Sequence, residues 1–230
     1  MDGKNILVDI GITNKSFLIA LKKLNISPKD IDVIFVTHEH IDHIRGLKVF
    51  LKNNVPTVYM KKKTYNELDF EIENISLVEE NFKIDKLDIE IVKTSHDAVD
   101  SFGIIFNAKY GKFVHITDTG YINSKVINKI KDAKTYLIES NYEHEVLIKN
   151  EKYPFKTKQR ISSDKGHLSN EQCFEYLQRV IGANTKFILY AHLSEQNNEH
   201  HYIEERIKNL NVDKQIILLK DEIVEVSFEK

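Results

Sequence analysis

The stretch VTHEHIDH, residues 36–43, sets three histidines and two acids directly after the apolar run IDVIFV. That run reads as a buried strand, so the fold must bring its end to an edge where metal-ligand side chains can converge. His38 and His40 are two apart and would point to different sides of a helix, so the segment is expected to be an extended or turning loop. Asp42 and His43 would straddle the first turn of the next helix. Four donors from one loop do not complete two metal sites. The partners must come from elsewhere.

Later strand ends offer them. His96 comes after IEIVKTS, Asp118 after VHIT and His192 after FILYA, each behind an apolar strand. Neutral imidazole and carboxylate suit zinc, manganese or iron, and a carboxylate can bridge two ions. The loop is therefore expected to be half of a dinuclear metal site.

The chain opens with a strand, NILVDI, and a helix from about Asn14 with Phe17, Ala20, Leu21 and Leu24 on one face. HIRGLKVFLK reads as one helix and TVYM as a strand. From 74 to 117 the runs ISLV, FKI, LDIEIVKT, FGIIFNA and KFVHIT read as strands, with KYGK as a hairpin turn and Gly111 available for positive φ. Helices are expected at 123–131, across 142–161 (one or two), at 169–181 and at 198–209. The strands TYLIE, KFILYA, QIILL and IVEVSF complete the pattern. Two groups of strands with helices between them suggest an α/β fold, a four-layer αβ/βα sandwich. With 230 residues, no repeat and no Pro/Gly/Ser-rich linker, a single domain over 1–230 is the expectation.

Composition narrows the setting. No apolar run approaches the length of a membrane span, so no membrane partner is expected. The single cysteine, Cys173, cannot make an internal disulfide, which fits a reducing compartment, read here as the cytoplasm. The net charge of −2 gives no whole-protein attraction to nucleic acid. Six basic residues are nevertheless gathered at Lys149, Lys152, Lys156, Lys158, Arg160 and Lys165. Tyr153 and Phe155 interleave with them, a composition that suits cations on phosphates and rings on bases, and equally an amphipathic surface helix.

HEHIDH matches the HxHxDH signature of the metallo-β-lactamase superfamily. Asp9 in ILVDIG, His96, Asp118 in TDTG and His192 in AHLS match its other motifs in order. The chain resembles most the YycJ/WalJ branch, through TSHDA, ITDTGY, LIESN, DKGHLSN and HLSEQNN. That branch is understood as 5′-to-3′ DNA exonucleases. The resemblance implies a metallo-β-lactamase-type sandwich, a DNA substrate and two divalent ions, zinc or manganese, with iron a third choice. His38, His40 and His96 would hold one ion, Asp42, His43 and His192 the other, and Asp118 would bridge. The ions would share a hydroxide and clamp the attacking and leaving oxygens of an in-line displacement. Asp9 would orient the HxHxDH loop. The family usually has an extra strand and a Gly/Ser-rich turn before NILVDIG, so the edge of the first sheet is expected to be shortened or built otherwise.

Outside the ligand set, His115, His144, His200 and His201 read as structural or exposed, and Cys173 shares a helical stripe with Phe174, Leu177 and Val180. His167 lies in DKGHLSN, two residues before Ser169, which opens a capping box with Gln172. Given the resemblance, His167 joins Asp42 as a candidate catalytic residue, acting on a phosphate or leaving group. Glu139 would support it or a ligand. Ser169, Lys165, Arg160, Lys158 and Lys156 are the candidate substrate contacts. The function expected is a metal-dependent phosphodiesterase, a 5′-to-3′ DNA exonuclease. The alternatives are a hydrolase of a small phosphodiester or thioester, and a non-catalytic metal-stabilised nucleic-acid-binding module.

Overall fold

The computed structural model describes residues 1–208, 210 and 215–218, the last four by their backbone; the expected strand IVEVSF lies outside the described residues. The described strands form two sheets, one of four strands and one of seven. The chain groups into two compact units, one of Met1–Ile91 with Ala98–Phe102 and one of Val92–Asp97 with Gly103–Lys230.

In the first unit β1 (Ile6–Val8), β2 (Val33–Phe35), β3 (Thr57–Met60) and β4 (Ile75–Leu77) are all parallel, with Ile34 opposite both Leu7 and Val58. Parallel neighbours need crossovers, and the helices α1 (Asn14–Lys23), α2 (Ile41–Ile44), α3 (Leu47–Leu51) and α4 (Lys62–Asn66) lie within them. All three residues of β2 are buried, which explains the unbroken apolar run in its sequence. Thr13 caps α1 by accepting from Ser16 N, and the helix buries Phe17 and Leu21, with the Phe17 ring 5.3 Å from that of Phe50. Leu24 is its C-cap and 37% exposed, so the apolar face is narrower than its spacing suggested. The single helix expected over HIRGLKVFLK is two, broken at Gly46. A side chain there would meet Ile10 Cγ2 at 2.5 Å and the carbonyl oxygen of Ile12 at 2.7 Å. Close packing of α2 on the β1 exit dictates that break. Beyond β4 the chain forms a hairpin of β5 (Phe82–Ile84) and β6 (Leu87–Lys93).

In the second unit β7 (Phe102–Ala108) and β8 (Gly111–Ile116) form an antiparallel hairpin, with Gly111 at φ 128° in its turn. From there β8, β9 (Thr135–Glu139), β10 (Phe187–Ala191) and β11 (Gln215–Leu218) run parallel. The helices are α5 (Ser124–Ile130), α6 (His144–Lys149), α7 (Phe155–Ile161), α8 (Asn170–Val180) and α9 (His200–Ile207). Val114, Ile138 and Ile188 from the sheet and Ile127, Cys173 and Leu177 from α5 and α8 share one buried cluster. The Cys173 thiol is fully buried, and burial pushes its pKa up, so it packs as a small apolar side chain. Register aligns the strand ends. Ile116 pairs with Ile138, and Glu139 pairs with Ala191, so the carboxyl ends of β8, β9 and β10 are level. Residues just past those ends meet at one edge. No described helix is long and apolar enough to cross a membrane.

Candidate metal centre

In the first unit the histidine loop is tied to the end of β1. Asp9 Oδ1 accepts from Thr37 N at 2.8 Å, and its Oδ2 accepts from Thr37 Oγ1 at 2.7 Å. The same Oδ2 lies 2.7 Å from His43 Nδ1, and Thr37 Oγ1 lies 3.1 Å from His38 Nδ1. With Nδ1 engaged on the protein side, Nε2 is the nitrogen each ring can offer to a metal. The His38 ring lies 4.0 Å from that of His43 and 4.7 Å from that of His40. His38 and His43 are buried, His40 is half-buried, and Asp42 is exposed on α2. Glu39, the remaining acid of the loop, is structural: its Oε1 accepts from Val99 N at 2.8 Å.

Gly11 sets the loop's approach to α2. A Cβ at that position would lie 1.7 Å from the carbonyl oxygen of Asp42. Ile10 N donates to the carbonyl oxygen of His43 at 2.8 Å across the same gap. Only glycine lets these backbones come so close.

In the second unit Asp118, Glu139, His167 and His192 offer ligand atoms that all lie within 4.8 Å of one another. Glu139 organises them. Its Oε1 is 2.7 Å from Nδ1 of His167 and 2.7 Å from Nδ1 of His192, and its Oε2 accepts from the backbone N–H groups of Thr119 and Leu168. Asp118 Oδ1 is 3.5 Å from His192 Nδ1 and 3.8 Å from both His167 Nδ1 and His96 Nε2. His96 Nδ1 donates to the carbonyl oxygen of Gly166 at 3.1 Å, which leaves Nε2 as its ligand atom. Asp97 Oδ1 sits 3.3 Å from that Nε2.

Charge and burial oppose each other here. Burial alone would raise the Glu139 carboxyl, but His167 and His192 outweigh it and hold the group below its ordinary value. Burial pulls His167 down, but the Glu139 carboxylate outweighs that and leaves it above its ordinary value. For His96 burial is the first cause and outweighs the pull of the Asp118 and Asp97 carboxylates, so it falls below its ordinary value.

Strain marks the same residues. Asp9 at φ 59°, Asp118 at φ 53° and His192 at φ 57° occupy the left-handed region, and Asn141 Nδ2 braces His192 through its carbonyl oxygen at 2.8 Å. Non-glycine residues held there cost energy and cluster where function demands a fixed direction.

The candidate substrate contacts fall out differently. Ser169 accepts from Gln172 N and serves as the N-cap of α8, with the full capping box present. Lys158 Nζ donates to the carbonyl oxygen of Ile148 at 2.6 Å, and Arg160 Nε donates to Asp97 Oδ2. Lys156 and Lys165 are exposed. Thr37, Thr119, Asp97 and Asn141 escaped sequence reasoning. Each is a single polar residue whose partner is set by the fold, with no spacing to betray it.

A family model described as a beta-lactamase superfamily domain matches residues 4–192, and the chain belongs to that superfamily. Fold and family together make it a metal-dependent hydrolase of the metallo-β-lactamase fold. Among similar proteins, exodeoxyribonuclease WalJ of Streptococcus pneumoniae serotype 2 is 36% identical over 204 residues, 85% of this chain and 76% of that protein. Exodeoxyribonuclease YycJ of Bacillus anthracis is 36% identical over 205 residues, 86% of this chain and 77% of that one. Among solved structures, the metallo-beta-lactamase fold protein YhfI from Bacillus subtilis superposes with a TM-score of 0.70 at 16% identity, covering 97% of this chain and 88% of that one. The superfamily's fold implies divalent metal ions. In the second unit His96, Asp118 and His192 offer imidazole nitrogen and carboxylate oxygen, a donor set of borderline softness that fits them.

Proposed function

We propose that the chain is a 5′-to-3′ exodeoxyribonuclease working in the cytoplasm with two divalent ions, zinc or manganese, the donors suiting iron as well. The carrying observation is the level edge of β8, β9 and β10, where Asp118, Glu139, His167 and His192 converge. The 36% identity to proteins named exodeoxyribonucleases supports DNA as the substrate.

His38, His40 and His96 would hold one ion and Asp42, His43 and His192 the other, with Asp118 shared between them, as the family pattern implies. When bound, the ions lower the pKa of water toward ~7 and withdraw charge from the phosphate oxygens. The chain's own residues do the rest. Asp9 and Thr37 fix the tautomer and direction of His43 and His38. Glu139 keeps a proton on His167, which delivers it to the leaving 3′ oxygen. Asp42 completes the reacting centre from α2.

Purified protein with manganese is to be offered 5′-phosphorylated duplex DNA, bis(p-nitrophenyl) phosphate and a thioester. Release of nucleotides from the 5′ end supports the reading. Turnover of the thioester with the DNA left intact overturns it, and binding of DNA without any hydrolysis makes the chain a non-catalytic module.

A further inference from the structure

Helix α7 is an unusual element to keep. None of its seven residues is buried, so it gains little from the hydrophobic effect, which normally stabilises short helices. It is held instead by polar ties. Lys158 donates to the Ile148 carbonyl and Arg160 to Asp97, while His167 N donates to the carbonyl oxygen of Ile161 at 2.9 Å. Gly166 lets the end of the helix close on that turn, since a Cβ there would lie 2.1 Å from the Ile161 carbonyl oxygen. Every tie but the first leads to the loops that carry His96 and His167.

The exposed residues of α7 are Phe155, Lys156, Gln159 and Arg160. At 3.6 residues per turn they lie on one continuous arc, about 140° wide. One edge of that arc is Arg160, anchored on Asp97 beside His96 Nε2. The other edge is Phe155, about 7.5 Å back along the axis, the rise of roughly two stacked base pairs. Phe155 is 74% exposed, the most exposed large apolar residue among the described residues, with Lys152 and Lys156 exposed on either side. An apolar ring left in water between cations matches one chemistry well: a nucleobase on the ring and its phosphates on the lysines.

We propose that Phe155 is a stacking platform for a base of the substrate strand, seating it beside the scissile phosphate, an inference that rests on the nuclease reading above. The chain contains no tryptophan, so Phe155→Trp installs a sole indole at the proposed contact. Its emission should be quenched as 5′-phosphorylated DNA is added, and not when the terminal nucleotides are abasic. In steady-state cleavage with manganese, Phe155→Ala should raise KM about 5- to 140-fold, the span that ring–base stacking covers, with kcat changed far less. Phe155→Trp should restore the wild-type KM. Thermal melts of both variants identify any fold defect, and the emission titration decides the matter even if Phe155→Ala folds poorly. No quench on DNA that the Trp variant degrades overturns the stacking role and leaves the nuclease reading intact. A wild-type protein that degrades no DNA overturns both.

Discussion

Oε1 of Glu139 lies 2.7 Å from Nδ1 of His167, and the carboxylate is fully buried. A buried carboxylate held ionised against an imidazole favours the protonated ring. The proposed role of His167 follows that pairing: a proton donor beside the metal donors, not one of them.

His167→Ala should therefore keep its metal content and native fold, at a lowered melting temperature because buried Glu139 loses a partner, while turnover of DNA falls roughly 10²–10⁴-fold, the usual worth of a general acid. The loss should shrink on a diester with a p-nitrophenolate leaving group, which needs little protonation. Metal analysis and the two rates together check this. Loss of an ion would make His167 a ligand and reopen the assignment of His192, and an unchanged rate would make it a loop histidine.

The Gly11 contact predicts coupling between the β1 exit and the metal loop. Because the obstacle to a Cβ is the Asp42 backbone, Gly11→Ala must push α2 away, and Asp42 and His43 with it. Destabilisation of about 1–3 kcal/mol is expected from overpacking, together with reduced metal content. Urea melts and metal analysis of the same preparation check both. Full metal content would mean that α2 moves without its ligands.

The basic residues of α7 should divide by their partners. Lys156→Gln should lower the slope of log affinity against log salt by about 0.9, as one counterion fewer is released from duplex DNA. Arg160→Gln also removes the tie to Asp97, so α7 loosens and the affinity loss should be larger than for Lys156→Gln. Changing Lys156, Lys158 and Arg160 together should flatten the slope further. Filter-binding or anisotropy titrations over a salt series measure this. An unchanged slope would leave these residues as a solvated face.

Much of the candidate site was legible because its residues crowd where apolar strands end. His38, His40, Asp42 and His43 stand out by spacing, and Asp118 and His192 by their places just past buried strands. What could not be read is how those ends come level. The β8–β9 and β9–β10 registers are tertiary facts, and they alone turn Glu139 from a strand-end acid into the residue shared by His167 and His192. The left-handed backbone at Asp9, Asp118 and His192 is likewise imposed from outside, since none of the three is glycine. In the fold, the periodicity of α1 and the capping box of α8 held: α1 begins at Asn14 and α8 just after Ser169. The break at Gly46 depends on Ile10 and Ile12, far off in sequence, and α4 has a lysine-rich sequence without an apolar stripe to reveal it.

The central claim is that the loop at 36–43 and the donors past β8 and β10 share two ions through Asp118. Metal content by mass spectrometry and DNA hydrolysis, measured on one preparation of Asp118→Ala beside the wild type, test it most directly. The wild type should carry close to two ions per chain. The variant should carry fewer and hydrolyse nothing, because the repulsion between the cations is no longer offset by a bridging carboxylate. Two tightly bound ions with wild-type turnover in Asp118→Ala would contradict the account.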